Sequence, residues 1–263
     1  MSANYKNWVP NGMVMGFAAG TAALALGTSA AVLCGKKLGR AQMPLAGLLA
    51  AGSAMTALST LWLKICQDRY SYDGSRQLSR QIIEGTAEYL DVPDGGIALD
   101  VGCGSGALTI ACAKRNPGAK FIGIDRWGKE YASFSKELCE SNAAEEGVTG
   151  NTEFMQGDAV HLDFDDETFD AVTSNYVYHN ITGTDRKELL RETFRVLKKG
   201  GCFAIHDIMS KSKYGDIQAF ADELRKEGFD SVSVIDTTKG KFMSPAEAAL
   251  MGLGGSALLI GRK

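Results

Sequence analysis

Two long stretches without a single charged residue, 12–35 and 41–63, constrain this chain more than any other feature. Each run, 24 and then 23 residues, matches as a helix a hydrocarbon layer of ~30 Å. Between them stands the basic turn KKLGR, 36–40. Two transmembrane helices joined as a hairpin is the simplest reading, and it marks 1–66 as a membrane-anchoring segment. Three other readings compete: a cleaved signal peptide with GTSAAVLC as its cleavage region, a buried soluble hairpin, and a hairpin only partly inserted. The second uncharged run speaks against the signal peptide.

With the remainder of the chain on the cytoplasmic side, an even number of crossings leaves Lys36, Lys37 and Arg40 outside. The amino terminus, Lys6, Lys64, Arg69, Arg76 and Arg80 then lie inside, a bias in the expected direction. Gly12, Gly16 and Gly20 follow GxxxGxxxG spacing, and Ala46, Ala50 and Ala54 repeat it in the second run. Small residues every four positions make a flat helix face. Such faces serve a homodimer through the membrane, or the packing of the two helices on each other.

A net charge of −3 argues against a general nucleic-acid binder. Six cysteines without a CxxC pair suggest neither zinc nor a disulfide framework, and His161, His179 and His206 lack metal-ligand spacing. No metal is expected.

From Tyr70 onward strands and amphipathic helices alternate. A linker and helix (75–90) within 67–95 leads into 96–263. There the pattern predicts strands at 97–101, 120–124, 152–155, 169–173, 202–208, 231–235 and 256–260. Helices are predicted at 106–115, 129–146, 185–197 and 214–228. Such alternation means βαβ units: an α/β, doubly wound, mostly parallel sheet with helices on both faces. Ligand is expected where the strand order reverses, at the carboxyl ends of the strands.

The stretch IALDVGCGSGALTI (97–110) places Gly102, Gly104 and Gly106 between an apolar run and a helix-like run. Taken alone it also fits a dinucleotide fingerprint, and therefore an NAD-linked oxidoreductase. The glycines also suit plain close packing of helix on strand. Asp100, however, puts a carboxylate beside the loop, where it repels a pyrophosphate and receives an ammonium group. Asp125 ends the next strand in FIGID, where a carboxylate accepts from ribose hydroxyls. The pocket asks for a nucleoside with a cationic tail.

Further along come MQGDAV, FDAVTSNYVYH and ETFRVLKKGGCFAIHD. In this order and spacing the segments resemble the class I S-adenosylmethionine-dependent methyltransferases, in particular the small-molecule branch that includes quinone-ring methyltransferases. The resemblance covers about 99–207. It implies a seven-stranded sheet with its last strand antiparallel, and S-adenosylmethionine as cofactor. Carried over, Asp100 and the loop Gly102, Cys103, Gly104 and Gly106 surround the methionine moiety. Asp125 holds the ribose, Arg126 and Trp127 lie near the adenine, Asp158 and Ala159 flank the base, and Asn175 lines the pocket beside the methyl group. Asp158 as a turn cap and Trp127 as a surface-packing aromatic are the structural alternatives. No NPPY-like motif follows the fourth strand, where SNYVYH stands, so a small acceptor is expected over protein or nucleic acid.

A sulfonium methyl group is already activated, so alignment and water exclusion carry most of the catalysis. A thiol, phenol or activated carbon acceptor also gains from a general base. His179 is one candidate, against a role in bonding loop backbone; His206 oriented by Asp207 is the other, against a structural strand-end pair. Tyr72, Tyr176 and Tyr178 are expected to line the acceptor site. An anchored catalytic part suits a lipophilic acceptor at the cytoplasmic face of a membrane, with bilayer lipid as a partner. A binding protein that holds the cofactor without turnover is the main competitor.

Overall fold

The computed structural model describes residues 3–128 and 133–263. The chain forms two compact units, one of Asn7–Gln77 and one of the residues up to Lys6 together with Leu78–Lys263.

In the first unit α1 (Asn11–Leu33) is followed by a short α2 (Gly35–Leu38), a 3-10 turn (Gly39–Ala41) and α3 (Gln42–Tyr70). Pro44 is tolerated because it falls in the first turn of α3, where its missing N–H has no helical partner to lose. Both helices are long and apolar enough to cross a membrane. They meet through the Thr21 hydroxyl on Thr56 at 2.9 Å, the Ser53 hydroxyl on the Thr21 carbonyl at 3.2 Å, and Leu24 against Gly52. Large apolar side chains point away from this seam: Leu26, Leu33, Leu48 and Met55 are each at least 70% exposed. The glycine repeat is not the seam. A Cβ added at Gly12, Gly16 or Gly20 meets nothing within 4 Å, and of the second repeat Ala46 is buried while Ala50 and Ala54 are exposed. Side-chain hydroxyls and the Gly27–Gly52 region bring the helices together instead.

The second unit holds α4 (Leu78–Ala87), β1 (Ile97–Val101), α5 (Ala107–Arg115), β2 (Lys120–Asp125), α6 (Lys136–Glu145), β3 (Thr152–Gln156), β4 (Phe169–Asn175) and α7 (Arg186–Arg195). It continues with β5 (Leu197–Ile208), α8 (Lys211–Tyr214), α9 (Ile217–Lys226), β6 (Asp230–Asp236), α10 (Pro245–Met251) and β7 (Ser256–Arg262). The seven strands form one sheet in the order β3-β2-β1-β4-β5-β7-β6, in which β7 alone runs antiparallel to its neighbours. The expected α/β architecture is present, and the strand order reverses between β1 and β4. Leu189, Leu190 and Phe194 of α7 and Phe220 and Leu224 of α9 pack against Leu99, Val172 and Phe203 of the sheet.

Departures from the sequence pattern have local causes. The helix expected at 214–228 is two pieces, because Gly215 takes φ +67 and Asp216 starts a new helix by accepting from Ala219 N at 3.0 Å. β5 begins five residues early, at Leu197, and a register shift opposite Phe169 and Ala171 absorbs Gly200 and Gly201. α6 starts at Lys136, capped by Ser135, whose hydroxyl accepts from Leu138 N; the portion of its expected range at 129–132 lies outside the described residues. α10 was not expected at all. Its signal is SPAEAALMG, with Ser244 capping Glu247 N and Gly252 closing the C-terminus in the left-handed region.

Candidate functional site

The tips of β1 and β2 carry the glycine loop. Its three glycines do different work. A Cβ at Gly102 would lie 2.3 Å from Val177 Cγ2, and one at Gly106 about 3.1 Å from the Phe154 ring, so both allow close packing. At Gly104 the nearest atoms are those of the Phe134 ring at 3.8 Å, leaving room on that side.

Asp125 organises the loop. Its carboxylate accepts from Gly104 N at 2.9 Å and from Trp127 N at 2.8 Å. A carboxylate has about four lone-pair sites, so two stay available for hydroxyl donors. Trp127, with φ +42, folds its indole back to donate from Nε1 to the Gly104 carbonyl at 2.9 Å. Cys139 donates to the same carbonyl at 3.2 Å, while Arg126 is exposed.

Asp100 does not stand on the open side of the loop, as expected from its position, but under it. It is 1% exposed, and Oδ2 accepts from the Thr109 hydroxyl at 2.6 Å. Burial raises its pKa to about 7, with the Thr109 hydroxyl opposing the rise and the charge of Asp125 adding to it. Its Oδ1 is buried without a partner among the described residues. An orphaned buried acceptor costs free energy on the order of 1–3 kcal/mol. Cys103, beside it, is buried, and burial holds its thiol well above the usual range.

Asp158 makes a turn: its carboxylate accepts from Val160 N at 2.9 Å, and its carbonyl accepts from His161 N at 3.2 Å. Ala159 beside it is buried.

At the tips of β4 and β5 the two histidines part ways. Successive strand residues face opposite sides of the sheet, so His206 and Asp207 cannot form a pair. His206 is fully buried, with Nδ1 2.8 Å from Asn175 Oδ1 and Nε2 2.9 Å from the Thr237 hydroxyl. Burial lowers its pKa to about 3, so it is neutral with both nitrogens occupied, and it is no general base. Asp207 pairs instead with His179. After Asn175 the chain turns at Tyr176, φ +56, and enters a 3-10 turn (Tyr178–Asn180) that returns His179 to the sheet. Asp207 there accepts from His179 Nδ1, from His179 N at 2.9 Å, from the Tyr214 hydroxyl at 2.7 Å and from Ile208 N at 2.7 Å. The imidazole keeps 14% exposure, and its Nε2 has no hydrogen bond among the described residues. Lys213 adds a bond to the His179 carbonyl at 3.1 Å.

The tyrosines divide as well. Tyr176 stands edge-on to His179 and to His206, with ring centroids 5.9 and 4.7 Å away, and its hydroxyl is 2.9 Å from that of Ser256. Tyr178 has no exposed surface and bonds Thr193 at 2.7 Å, so it belongs to the core and presents nothing to an acceptor. Tyr72 follows α3 in the other unit. Thr109, Thr237 and Tyr214 were not anticipated, and nothing in their sequence surroundings marks them.

The residues present fit a sulfonium nucleoside. Free lone pairs at Asp125 and open space at Gly104 lie at the switch point of the sheet, and the buried, unpaired acceptor of Asp100 lies beneath the loop. Residues 99–205 match the family described as "Methyltransferase domain". The chain is 38% identical over 113 residues to a demethylmenaquinone methyltransferase of Lactobacillus johnsonii, covering 43% of each chain. It is 30% identical over 139 residues to the sterol 24-C-methyltransferase ERG6A of Gibberella zeae, covering 53% of this chain and 34% of that one. The chain thus spans about half or less of the curated relatives it matches. Among solved structures the [4+2]-cyclase SpnF shares the fold, with a TM-score of 0.54 and 20% identity over 73% of this chain and 85% of that one. A cyclase on this fold means that chemistry must be argued from the site. Residues 99–205 thus resemble a methyltransferase domain, the sheet around them has the Rossmann-like methyltransferase fold, and the glycine loop with its strand-tip carboxylates suits S-adenosylmethionine as the cofactor.

Proposed function

We propose that this chain transfers the methyl group of S-adenosylmethionine to a small lipophilic acceptor at the cytoplasmic face of a membrane, with α1 and α3 as its anchor. One observation carries the reading. Val177, two residues before His179, packs on Gly102, so the turn that bears the histidine abuts the loop that bears the cofactor.

When bound, the cofactor supplies a methyl group on a positively charged sulfur. Asp125 holds the ribose hydroxyls, Asp100 and the loop around Gly104 take the amino-acid end, and Asp158, Ala159, Arg126 and Trp127 surround the base. Asn175, fixed by His206, lies at the edge of the pocket. Asp207 holds the Nδ1 proton of His179, which leaves the Nε2 lone pair to take the proton from an oxygen, sulfur or carbon nucleophile. The Tyr176 ring, perpendicular to the imidazole, forms an apolar wall beside it. Relatives named for demethylmenaquinone and a sterol support a lipophilic acceptor. In the bilayer, the open face at Gly12, Gly16 and Gly20 meets a second copy.

The test is to incubate the detergent-purified full chain with methyl-labelled cofactor, a lipid extract, and a panel of soluble thiols and phenols. Label in the lipid fraction supports the proposal. Label only in soluble compounds removes the lipophilic acceptor, and tight cofactor binding without any product makes the chain a binding protein. Calorimetric titration that shows NAD preferred over S-adenosylmethionine makes it an oxidoreductase.

A further inference from the structure

Ahead of α1, Asn7–Pro10 belong with the apolar helices, whereas the residues up to Lys6 do not. They fold into the unit that carries the methyltransferase domain. The chain leaves that unit at Asn7, runs through both apolar helices and returns at Leu78. The hairpin is therefore an insertion, joined covalently at both ends.

The first of those joints is fastened to the cofactor loop. Asn142, 2% exposed on α6, uses its whole amide as a bridge. Its Oδ1 accepts from Asn4 N at 2.7 Å, and its Nδ2 donates to the Asn4 carbonyl at 3.1 Å and to the Ser105 carbonyl at 3.0 Å. The Ser105 hydroxyl, also buried, donates to the Tyr5 carbonyl at 2.9 Å. Ser105 sits between Gly104 and Gly106, and the Tyr5 side chain is itself buried. Three of these four hydrogen bonds tie residues 4–5 to partners 100 or 138 positions away in sequence, and the fourth joins Asn142 to Ser105, 37 positions apart.

We infer that residues 4–5 act as a strap that positions the cofactor loop, so that cofactor affinity depends on a segment lying ahead of the first apolar helix. A loop with glycine at alternate positions has unusual conformational freedom to lose on binding a ligand. Ordering it beforehand lowers that loss and tightens binding. Ser105 and Asn142 are positioning residues, since they act on the loop and need not touch the cofactor. The inference rests on the cofactor reading above, and its test has a readout that does not.

In the full chain, Ser105→Ala removes one bond of the strap, Ser105→Thr keeps a hydroxyl there, and Tyr5→Ala loosens the strap without altering the loop sequence. Two quantities are measured: amide hydrogen exchange at 104–109 in the cofactor-free protein, and the dissociation constant for S-adenosylmethionine by titration. Ser105→Ala and Tyr5→Ala are expected to speed exchange and to weaken binding roughly five- to tenfold, the loss of about one hydrogen bond. Ser105→Thr should restore both. Parental exchange and affinity in both alanine variants overturn the strap, as does a threonine variant no better than alanine. If exchange responds as expected but no form binds S-adenosylmethionine, the strap stands as a loop-ordering device and the cofactor reading fails.

Discussion

The tips of β1 and β2 and the tips of β4 and β5 stand on the same edge of one sheet, but they are held in opposite ways. At the first pair, carboxylates receive donors from nearby in the chain: Trp127 two residues from Asp125, Thr109 nine from Asp100, Gly104 twenty-one from Asp125. At the second pair the decisive contacts depend on register. Asn175 lies opposite His206, and a turn beyond it swings His179 onto Asp207, twenty-eight residues away. Contacts nearby in the chain shape the glycine loop; strand register and a turn bring His179 to Asp207.

The sharpest break of that contrast lies between the two histidines. In the full chain, His179→Ala should lower kcat by roughly a thousandfold, within the range for loss of a general base, with cofactor affinity unchanged. His206→Gln should lower kcat far less, because its nitrogens are spent on Asn175 and Thr237. Steady-state rates with one lipophilic acceptor decide it. Equal losses in the two variants would dissolve the distinction. At the other pair of tips, Asp125→Ala removes the acceptor for Gly104 N and Trp127 N together with the proposed ribose contact. Charge-assisted bonds of this kind are worth ~1.5–3 kcal/mol each, so affinity should fall at least about a hundredfold by titration calorimetry. Parental affinity in a folded Asp125→Ala chain would empty the first pair of its role.

The same contrast explains what the sequence discloses. Strand alternation, glycine spacing and carboxylates at strand ends are local facts, and they foretell the parallel sheet, the switch point and the loop at Gly102–Gly106. Strand parity was also legible: positions 206 and 207 cannot share a face, so a pair of His206 with Asp207 is excluded by the strand that contains them. What no local pattern reveals is the partner each takes. Tyr178 and Tyr176 differ by two residues and read alike, yet φ +56 at Tyr176 turns one ring to the mouth while the next turn carries the other into the core. Asp100 reads as an open carboxylate because its burial comes from the helix and strands around it.

Buried titratable groups on the two sides also give opposite pH responses. His206 has its pKa lowered to about 3, against about 6.5 unfolded, so the unfolded chain binds more protons in between and stability falls as pH drops below about 6.5. Asp100 has its pKa raised to about 7, against about 3.9 unfolded, so the folded chain holds the extra proton and stability falls as pH rises from about 4 to 7. Each slope is ~1.4 kcal/mol per pH unit, and over pH 5–6.5 they oppose. His206→Gln should therefore gain roughly 2 kcal/mol on acidification from pH 6.5 to 5, and Asp100→Asn should lose about as much. Urea midpoints at the two pH values measure both. Slopes of the same sign in the two variants would mean that one of these groups is not buried as described.

The smallest expected effect tests whether the two neighbouring tyrosines belong to different regions. Tyr178→Phe deletes only the hydroxyl that meets Thr193, and the Thr193 hydroxyl keeps its bond to the Leu189 carbonyl at 3.1 Å. No buried group is orphaned, so the cost should be about 1 kcal/mol in urea unfolding, with KM for the acceptor unchanged. Tyr176→Phe leaves its ring against His179 and His206 but frees the Ser256 hydroxyl, which still donates to the Leu253 carbonyl at 2.7 Å. Its stability cost should be similar, while KM for the acceptor rises because the ring loses the anchor that aims it at the mouth. A KM that moves with Tyr178 and not with Tyr176 would reverse the assignment and place the acceptor on the core side of the turn.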